Sequence, residues 1–285
     1  MYTDYYGFTA DPFRLMPDAN ELYMHPSFRK ALSYMQYALY KGEGIVLVTG
    51  QAGIGKTALI TKTLREQGDY ELIFTLVDCA HFSGHELLAQ FAASCGLRNE
   101  DNSTLSSIYA QLNAHLRTVR QQGKRSVLLL DEAHLLQDDA LEAIHLLSNL
   151  HIEGNPLVQI FLIGQPELKA RLLAPGLEQL HQRIIATSAI EALTKAETQG
   201  YILQQLTSVH WNGNPGIAET VFTAIHSASL GIPRWINLIC SRMMIQAVAS
   251  DRQYISLEDI CEVLNDLLNE DLLPERVRHA NKQLT

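Results

Sequence analysis

Up to about residue 190 the chain alternates short, nearly unbroken apolar runs with longer stretches in which apolar residues recur every three to four positions. The runs are GIVLVT (44–49), ELIFTLVD (71–78), SVLLLD (126–131), VQIFLIG (158–164) and RIIATSAI (183–190). Each has strand length and is rich in aliphatic and β-branched residues. Runs without alternation belong to strands buried on both faces, and the intervening patterns, such as SSIYAQLNAHLRTVRQQG, predict helices. A parallel sheet covered by helices on both faces follows. Beyond Glu191 only the helical period remains, in LTKAETQGYILQQL, ETVFTAIHSAS, PRWINLICSRMMIQAVAS and SLEDICEVLNDLLNE. The expected organisation is an α/β domain over 1–190, an all-helical domain over 191–270 and a polar tail over 271–285.

Composition supports this picture. A hydrophobic content of 47% in 285 residues is that of a globular chain with a substantial core. The start, MYTDYYGFTADPF, has neither a basic segment nor a continuous apolar one, and no apolar run approaches the length of a membrane span. A cytoplasmic protein without a membrane span is expected. Cys79, Cys95, Cys240 and Cys261 are scattered without a CxxC pair, which argues for reduced thiols rather than a disulfide framework or a zinc site. The net charge of -9 disfavours broad nonspecific binding to nucleic acid.

Between a predicted strand and a predicted helix lies GQAGIGKT, residues 50–57. The spacing of Gly50, Gly55, Lys56 and Thr57 is that of a phosphate-binding P-loop. Its glycines let backbone N–H groups turn inward around an anion while the lysine supplies positive charge. Candidate nucleotide-binding residues are therefore Gly50, Gln51, Ala52, Gly53, Ile54, Gly55, Lys56, Thr57 and Ala58. The run RSVLLLDEAHLL (125–136) delivers two carboxylates at the end of another strand, where open α/β sheets bind ligands. Asp131 is expected to hold magnesium through water together with the Thr57 hydroxyl, and Glu132 to polarise the attacking water. Adjacent residues of a strand face opposite ways, so the pleat itself divides these roles.

Other motifs carry less. DEAH also marks a helicase class, but that class needs two sheet domains and one is visible here. TKAE (194–197) lacks the aspartate of the guanine-reading pattern, and Thr194 with Glu197 makes a capping box. His81 and His85 stand four apart with Gly84 between them and no further ligand, so surface or capping roles are expected.

The segments YYGFTADPFRLMPDANELYMHPSFRKALSYMQYAL, the P-loop, LLDEAHLL, LSNL, FLIGQPELKARLLAPGLEQLHQRI, ETQGYILQQL and GIPRWINLIC, in that order, resemble the AAA+ ATPases typified by general secretion pathway protein A. Within that family the chain is most similar to the ATPases associated with exosortase and exopolysaccharide systems, and next to the mannose-sensitive haemagglutinin pilus type. The resemblance implies a P-loop αβα sandwich with a C-terminal all-helical lid domain. It also implies ATP and Mg2+ as cofactors and an ATPase coupled to envelope secretion or polysaccharide export machinery. Partners implied are further copies of the chain, a hexameric ring among the forms considered, and an export component that recruits it to the inner membrane. Carried over by motif, Gln165 is sensor 1, Arg183 an arginine finger and Arg234 a sensor-2 arginine. The segment before the P-loop commonly walls the adenine pocket in such proteins, which makes Pro12, Phe13, Leu22 and Tyr23 candidates. The secretion member continues into a transmembrane helix and a periplasmic part, and no stretch here has that character; a stand-alone member and a shortened chain both stay open.

Two other readings share the motifs. One is a DNA-binding ATPase of the transposition-regulator type, using Lys124, Arg125, Lys169 and Arg171; with dispersed basic residues, DNA is not the expected partner. The other is a nucleotide-gated scaffold with negligible turnover.

Overall fold

The computed structural model describes residues 2–14, 22–66, 71–98 and 103–273. Part of the N-terminal strap and all of the tail beyond Leu273 lie outside the described residues. The chain divides into two compact units, one of residues 26–52 and 56–190, the other of 1–25, 53–55 and 191–285.

The first unit is built on a five-stranded parallel sheet. Its strands are β1 (Ile45–Gly50), β2 (Leu72–Asp78), β3 (Arg125–Asp131), β4 (Val158–Gly164) and β5 (Ile184–Ile190), in the spatial order β2-β3-β4-β1-β5. All five coincide with the apolar runs to within one residue at each end. β1, β3 and β4 are buried along nearly their whole length, as central strands should be. Alternate residues enter different layers. Ile45, Leu47, Leu128, Leu130, Ile160 and Leu162 join one core with helices Gly84–Ser94, Leu105–Gln121 and Asp138–Ser148. Val46, Val48, Val127, Leu129, Phe161 and Ile163, equally buried, point to the other face. Helices Pro26–Lys41 and Lys56–Arg65 pack together beside β1, and buried Thr63 donates to the Met35 sulfur at 3.6 Å. The two edge strands are half open to solvent, with alternating burial in β2 and in β5.

The second unit is helical, with helices Lys195–Ser208, Glu219–Ser229, Pro233–Ala249 and Leu257–Asn269 around a core that includes Ile202, Leu206, Ile225, Ile236, Met243 and Val263. Capping boxes start two of these helices, Thr194 with Glu197 and Ser256 with Asp259, each satisfying two otherwise unpaired backbone donors. Residues 2–14, expected with the α/β domain, group with this unit. Tyr2, Tyr6, Phe8 and Phe13 are buried in its core, and the Tyr6 hydroxyl donates to the Arg252 carbonyl at 2.8 Å. Tyr5 and Asp251 pair nearby, and Asn237 donates to the Arg14 carbonyl while accepting from the buried Tyr201 hydroxyl.

Gly231 joins two of these helices at φ +71°, where an added Cβ would lie 2.0 Å from the Leu193 carbonyl oxygen. Gly231→Ala is therefore expected to destabilise the helical unit by roughly 2–4 kcal/mol, through strained backbone and overpacking, as measured by urea unfolding. The thiols give a second expectation. Burial pushes Cys79 up to about 12 and raises Cys240 as well, while Cys261 is exposed. A thiol reagent at pH 7–8 should label Cys261 first and leave Cys79 and Cys240 unmodified until denaturant is added.

Candidate active site

The parallel register brings three strand ends to one edge. Leu47, Leu162 and Leu130 share a row across β1, β4 and β3, so Gly50, Gln165 and Asp131 all emerge at the C-terminal edge. This is the edge at which open α/β sheets place ligands.

The P-loop turns there because Gly53 and Gly55 take φ of +78° and +106°, a conformation closed to most side chains. The turn ends at Lys56, first residue of the helix Lys56–Arg65, so the first-turn N–H groups, which have no acceptor within the helix, and the helix dipole face the same space. Lys56 is 4% exposed, and its ammonium donates to the Gly50 and Gln51 carbonyls at 3.3 and 3.4 Å. A buried cation whose partners among the described residues are two carbonyls and one carboxylate is suited to a polyanion. Gly53–Gly55 group by contacts with the helical unit, where the Gly53 carbonyl accepts the Arg234 N–H at 3.2 Å. A Cβ on Gly53 would stand 2.7 Å from the Arg234 Cβ, so this glycine is also a close-approach residue. Arg234 is the second residue of the helix Pro233–Ala249, and its side chain is exposed.

Asp131 ends β3 buried, and the Thr57 hydroxyl donates to its Oδ2 at 3.2 Å. Burial raises the Asp131 carboxyl above the usual range; the Glu132 N–H, the Thr57 hydroxyl and the Lys56 charge oppose that rise. Two oxygen donors thus converge at the position expected to hold a cation, and hard oxygen ligands are what magnesium takes. Among the described residues no group of three or more His, Cys, Asp or Glu converges on a metal position, so phosphate and water oxygens would complete such a shell.

Glu132 departs from expectation in its backbone. It is not the next residue of a pleated strand but has φ 51° and ψ 32°, left-handed, at the head of the turn Ala133–Leu135. The separation from Asp131 comes from this turn rather than from the pleat. For a residue with a Cβ the conformation costs about 1–2 kcal/mol, and such outliers collect at functional sites. The turn sets a Glu132 carboxylate oxygen 3.5 Å from the Lys56 ammonium. Gln165 follows β4 and contacts the His134 ring through its Nε2, at 2.8 Å from the ring Nε2. Motif reading did not single out His134 and named Arg171 only as a candidate DNA contact: Arg171 donates to the His134 carbonyl at 2.8 Å and to Asp138 at 2.6 Å.

Arg183 lies elsewhere. Its carbonyl accepts the Ile45 N–H at 2.9 Å, which places it at the N-terminal edge of the sheet, away from Lys56. Its guanidinium donates to Asn149 at 2.5 Å, and Asn149 in turn contacts the His145 ring at 3.0 Å. Of the adenine-pocket candidates, Phe13 and Pro12 are buried, Phe13 within the helical core. Tyr23 stacks edge-on against Tyr201 beside Gly200, and Leu22 is half-buried. His85 is exposed and contacts the Ser103 carbonyl at 2.7 Å. Of the basic residues considered for DNA, Arg125 donates to the Leu39 carbonyl and Arg171 is engaged as described.

Known proteins resemble this chain over most of its length. An AAA domain family matches residues 39–172. The chain is 35% identical over 265 residues to general secretion pathway protein A of Aeromonas hydrophila, an alignment that takes in 91% of this chain and 47% of that protein. The chain thus spans about half the length of that relative. Among solved structures it is similar to Cdc6p of Pyrobaculum aerophilum, with TM-score 0.70 and 16% identity over 90% of this chain and 70% of that one. The ORC1 protein of Aeropyrum pernix in complex with DNA gives TM-score 0.68 and 16% identity, over 90% and 69%. The RuvB Holliday junction branch migration motor of Thermotoga maritima gives 0.53 and 17%, over 89% and 73%. At these identities the structural likeness concerns the fold.

Proposed function

We propose, from the premise that this chain belongs to the AAA+ ATPases and is related to general secretion pathway protein A, that it hydrolyses ATP with magnesium to switch or drive assembly of an envelope secretion or exopolysaccharide export apparatus. The observation that carries the nucleotide chemistry is the convergence of Lys56, Thr57, Asp131 and Glu132 at one sheet edge. Lys56 binds the phosphates and neutralises charge as it shifts toward the leaving oxygen. Thr57 and Asp131 would hold the magnesium, which supplies positive charge against the phosphate oxygens when bound. Glu132 orients and accepts a proton from the attacking water, and Gln165 contacts the ring of His134, two residues beyond Glu132. Arg234 is assigned to the nucleotide-sensing role in the helical unit and Arg183 to a neighbouring copy in an oligomer.

The cellular role rests on the relative rather than on the site. No helix of the described residues is long and apolar enough to cross a membrane, which fits recruitment through a partner. The fold is shared with proteins that work on DNA, yet two of the four basic residues considered for a DNA surface are tied to internal carbonyls.

The test is steady-state phosphate release with ATP. Turnover is expected with magnesium, to vanish in EDTA and to return when magnesium is restored. Duplex DNA should leave it unchanged at physiological salt, and a cytoplasmic domain of an envelope-assembly component should raise it. Stimulation by duplex DNA that falls steeply with salt would transfer the reading to a DNA-dependent ATPase. Tight ATP binding without turnover under every condition would leave a nucleotide-gated scaffold.

A further inference from the structure

We propose that His134 is a positioning residue that connects Gln165 to Glu132 and sets the orientation of the Glu132 carboxylate once Lys56 is engaged by phosphate; this rests on the reading of Glu132 as the acid that orients water. The two oxygens of Glu132 face different partners. One is 3.5 Å from the Lys56 ammonium, and the other is 3.3 Å from Nδ1 of His134. That Nδ1 is buried and, although within reach of the carboxylate, is not aligned for a hydrogen bond with it or with any other group among the described residues. On the far side of the ring, Nε2 lies 2.8 Å from the Gln165 side-chain nitrogen.

The chemistry of these contacts decides where the proton sits. A carboxylate only accepts, so the nitrogen facing it carries hydrogen. The neutral ring then has Nε2 free to accept from the Gln165 amide. The order Gln165 to His134 to Glu132 is thus a line of donors ending 3.3 Å from the carboxylate. Lys56 competes for that carboxylate. When ATP phosphate oxygens become its counter-ion, the ion pair to Glu132 weakens, and the Nδ1–H is the fixed donor that remains within reach. A carboxylate anchored through one oxygen presents the other to water, which is the geometry a general base needs.

The ring is held for such a task. Its backbone carbonyl is clamped by Arg171, itself tied to Asp138. The turn carrying it packs against the bare Cα of Gly164, where an added Cβ would meet the His134 backbone nitrogen at 3.0 Å. Gly164 immediately precedes Gln165, so the end of β4 fixes both the ring and its donor. The side chain is 12% exposed, well sheltered from competing water.

The experiment measures kcat, nucleotide affinity and Tm for the full chain and for His134→Ala, His134→Asn, Gln165→Ala, the His134→Ala/Gln165→Ala double variant and Glu132→Gln. Removing a group that orients a catalytic residue is expected to lower kcat about tenfold to a hundredfold. ATP affinity should stay within about twofold, because the ring touches no phosphate-binding group other than through Glu132. Asparagine puts an amide N–H near the position of Nδ1, so His134→Asn should recover most of the lost kcat. The double variant should be no slower than the slower single one, as expected for residues acting in series. Wild-type kcat in His134→Ala, a loss not recovered in His134→Asn, or multiplicative losses in the double variant would each overturn the proposal while Glu132→Gln stays inactive. Wild-type turnover by Glu132→Gln would instead remove the reading on which the proposal stands, and the proposal with it.

Discussion

Glu132→Gln will bind ATP and fail to turn it over, whereas Lys56→Ala will lose both. The difference follows from what each side chain touches. Lys56 is buried at the turn of the P-loop, its ammonium fixed by the Gly50 and Gln51 carbonyls, so its charge is present for bound ATP and for the transition state alike. Removing a charge-assisted contact of that kind costs about 1.5–3 kcal/mol of binding, or roughly tenfold to a hundredfold in affinity. Turnover should fall further, by about a hundredfold to a thousandfold. Glu132 contributes no donor to phosphate. Its replacement by the isosteric amide leaves the loop intact and removes a negative charge from beside Lys56, so affinity should hold or rise. The loss of proton acceptance is expected to lower kcat by about a hundredfold to ten-thousandfold. Calorimetric titration with ATP and magnesium beside single-turnover phosphate release separates the two. Hydrolysis by Glu132→Gln at the wild-type rate would show that the catalytic acid has been misassigned.

The strands and the loop that carry these residues were legible in the sequence because they depend on short-range pattern. A strand buried on both faces must be a continuous apolar run, which is why SVLLLD and VQIFLIG mark β3 and β4 to within one residue. A loop that must turn its backbone around an anion needs glycine at set places, which is why Gly53 and Gly55 are where they are. The capping box at Thr194 is a four-residue signal and reads equally well.

What the sequence hid depends on contacts between distant residues or on a single dihedral. The left-handed Glu132 looks like the end of a strand in DEAH, since nothing in its neighbours requires φ above zero. The His134–Gln165 contact joins residues 31 positions apart, and only the register of β3 against β4 brings them together. Arg171, by sequence a candidate DNA contact, holds the His134 carbonyl and the Asp138 carboxylate. The aromatic N-terminus was assigned by order along the chain to the α/β domain. Its rings instead fill the helical core, held by partners such as Arg252, 246 positions away from Tyr6. Apolar pattern shows that a segment will be buried, and does not show in which core.

Arg183 is expected to act across a boundary between copies of the chain, which makes isolated monomers poor ATPases. Pairing of β1 with β5 runs from Ile45 opposite Ile184 to Gly50 opposite Ile190. Arg183 therefore starts at the opposite end of β1 from Lys56, about 17 Å away at a rise of ~3.3 Å per residue, farther than its side chain reaches. Its charge is instead presented outward, beside a cleft of about 230 Å³ that Glu43, His151 and Gln182 also line. Asn149 holds the guanidinium, and His145, kept neutral by burial and by the arginine's charge, backs Asn149. An arginine supplied to a γ-phosphate from a neighbour contributes about a thousandfold or more to kcat, so Arg183→Ala should lose that much while binding ATP as before. Wild-type specific activity should rise with protein concentration through the range in which light scattering detects assembly. Arg183→Ala and Lys56→Ala subunits, each inactive alone, should regain a fraction of activity when mixed. The Lys56→Ala copy still offers its arginine to the intact P-loop of the other. Turnover independent of concentration in a sample shown to be monomeric, or failure of the mixture while both variants still assemble, would place Arg183 among ordinary structural arginines held by Asn149.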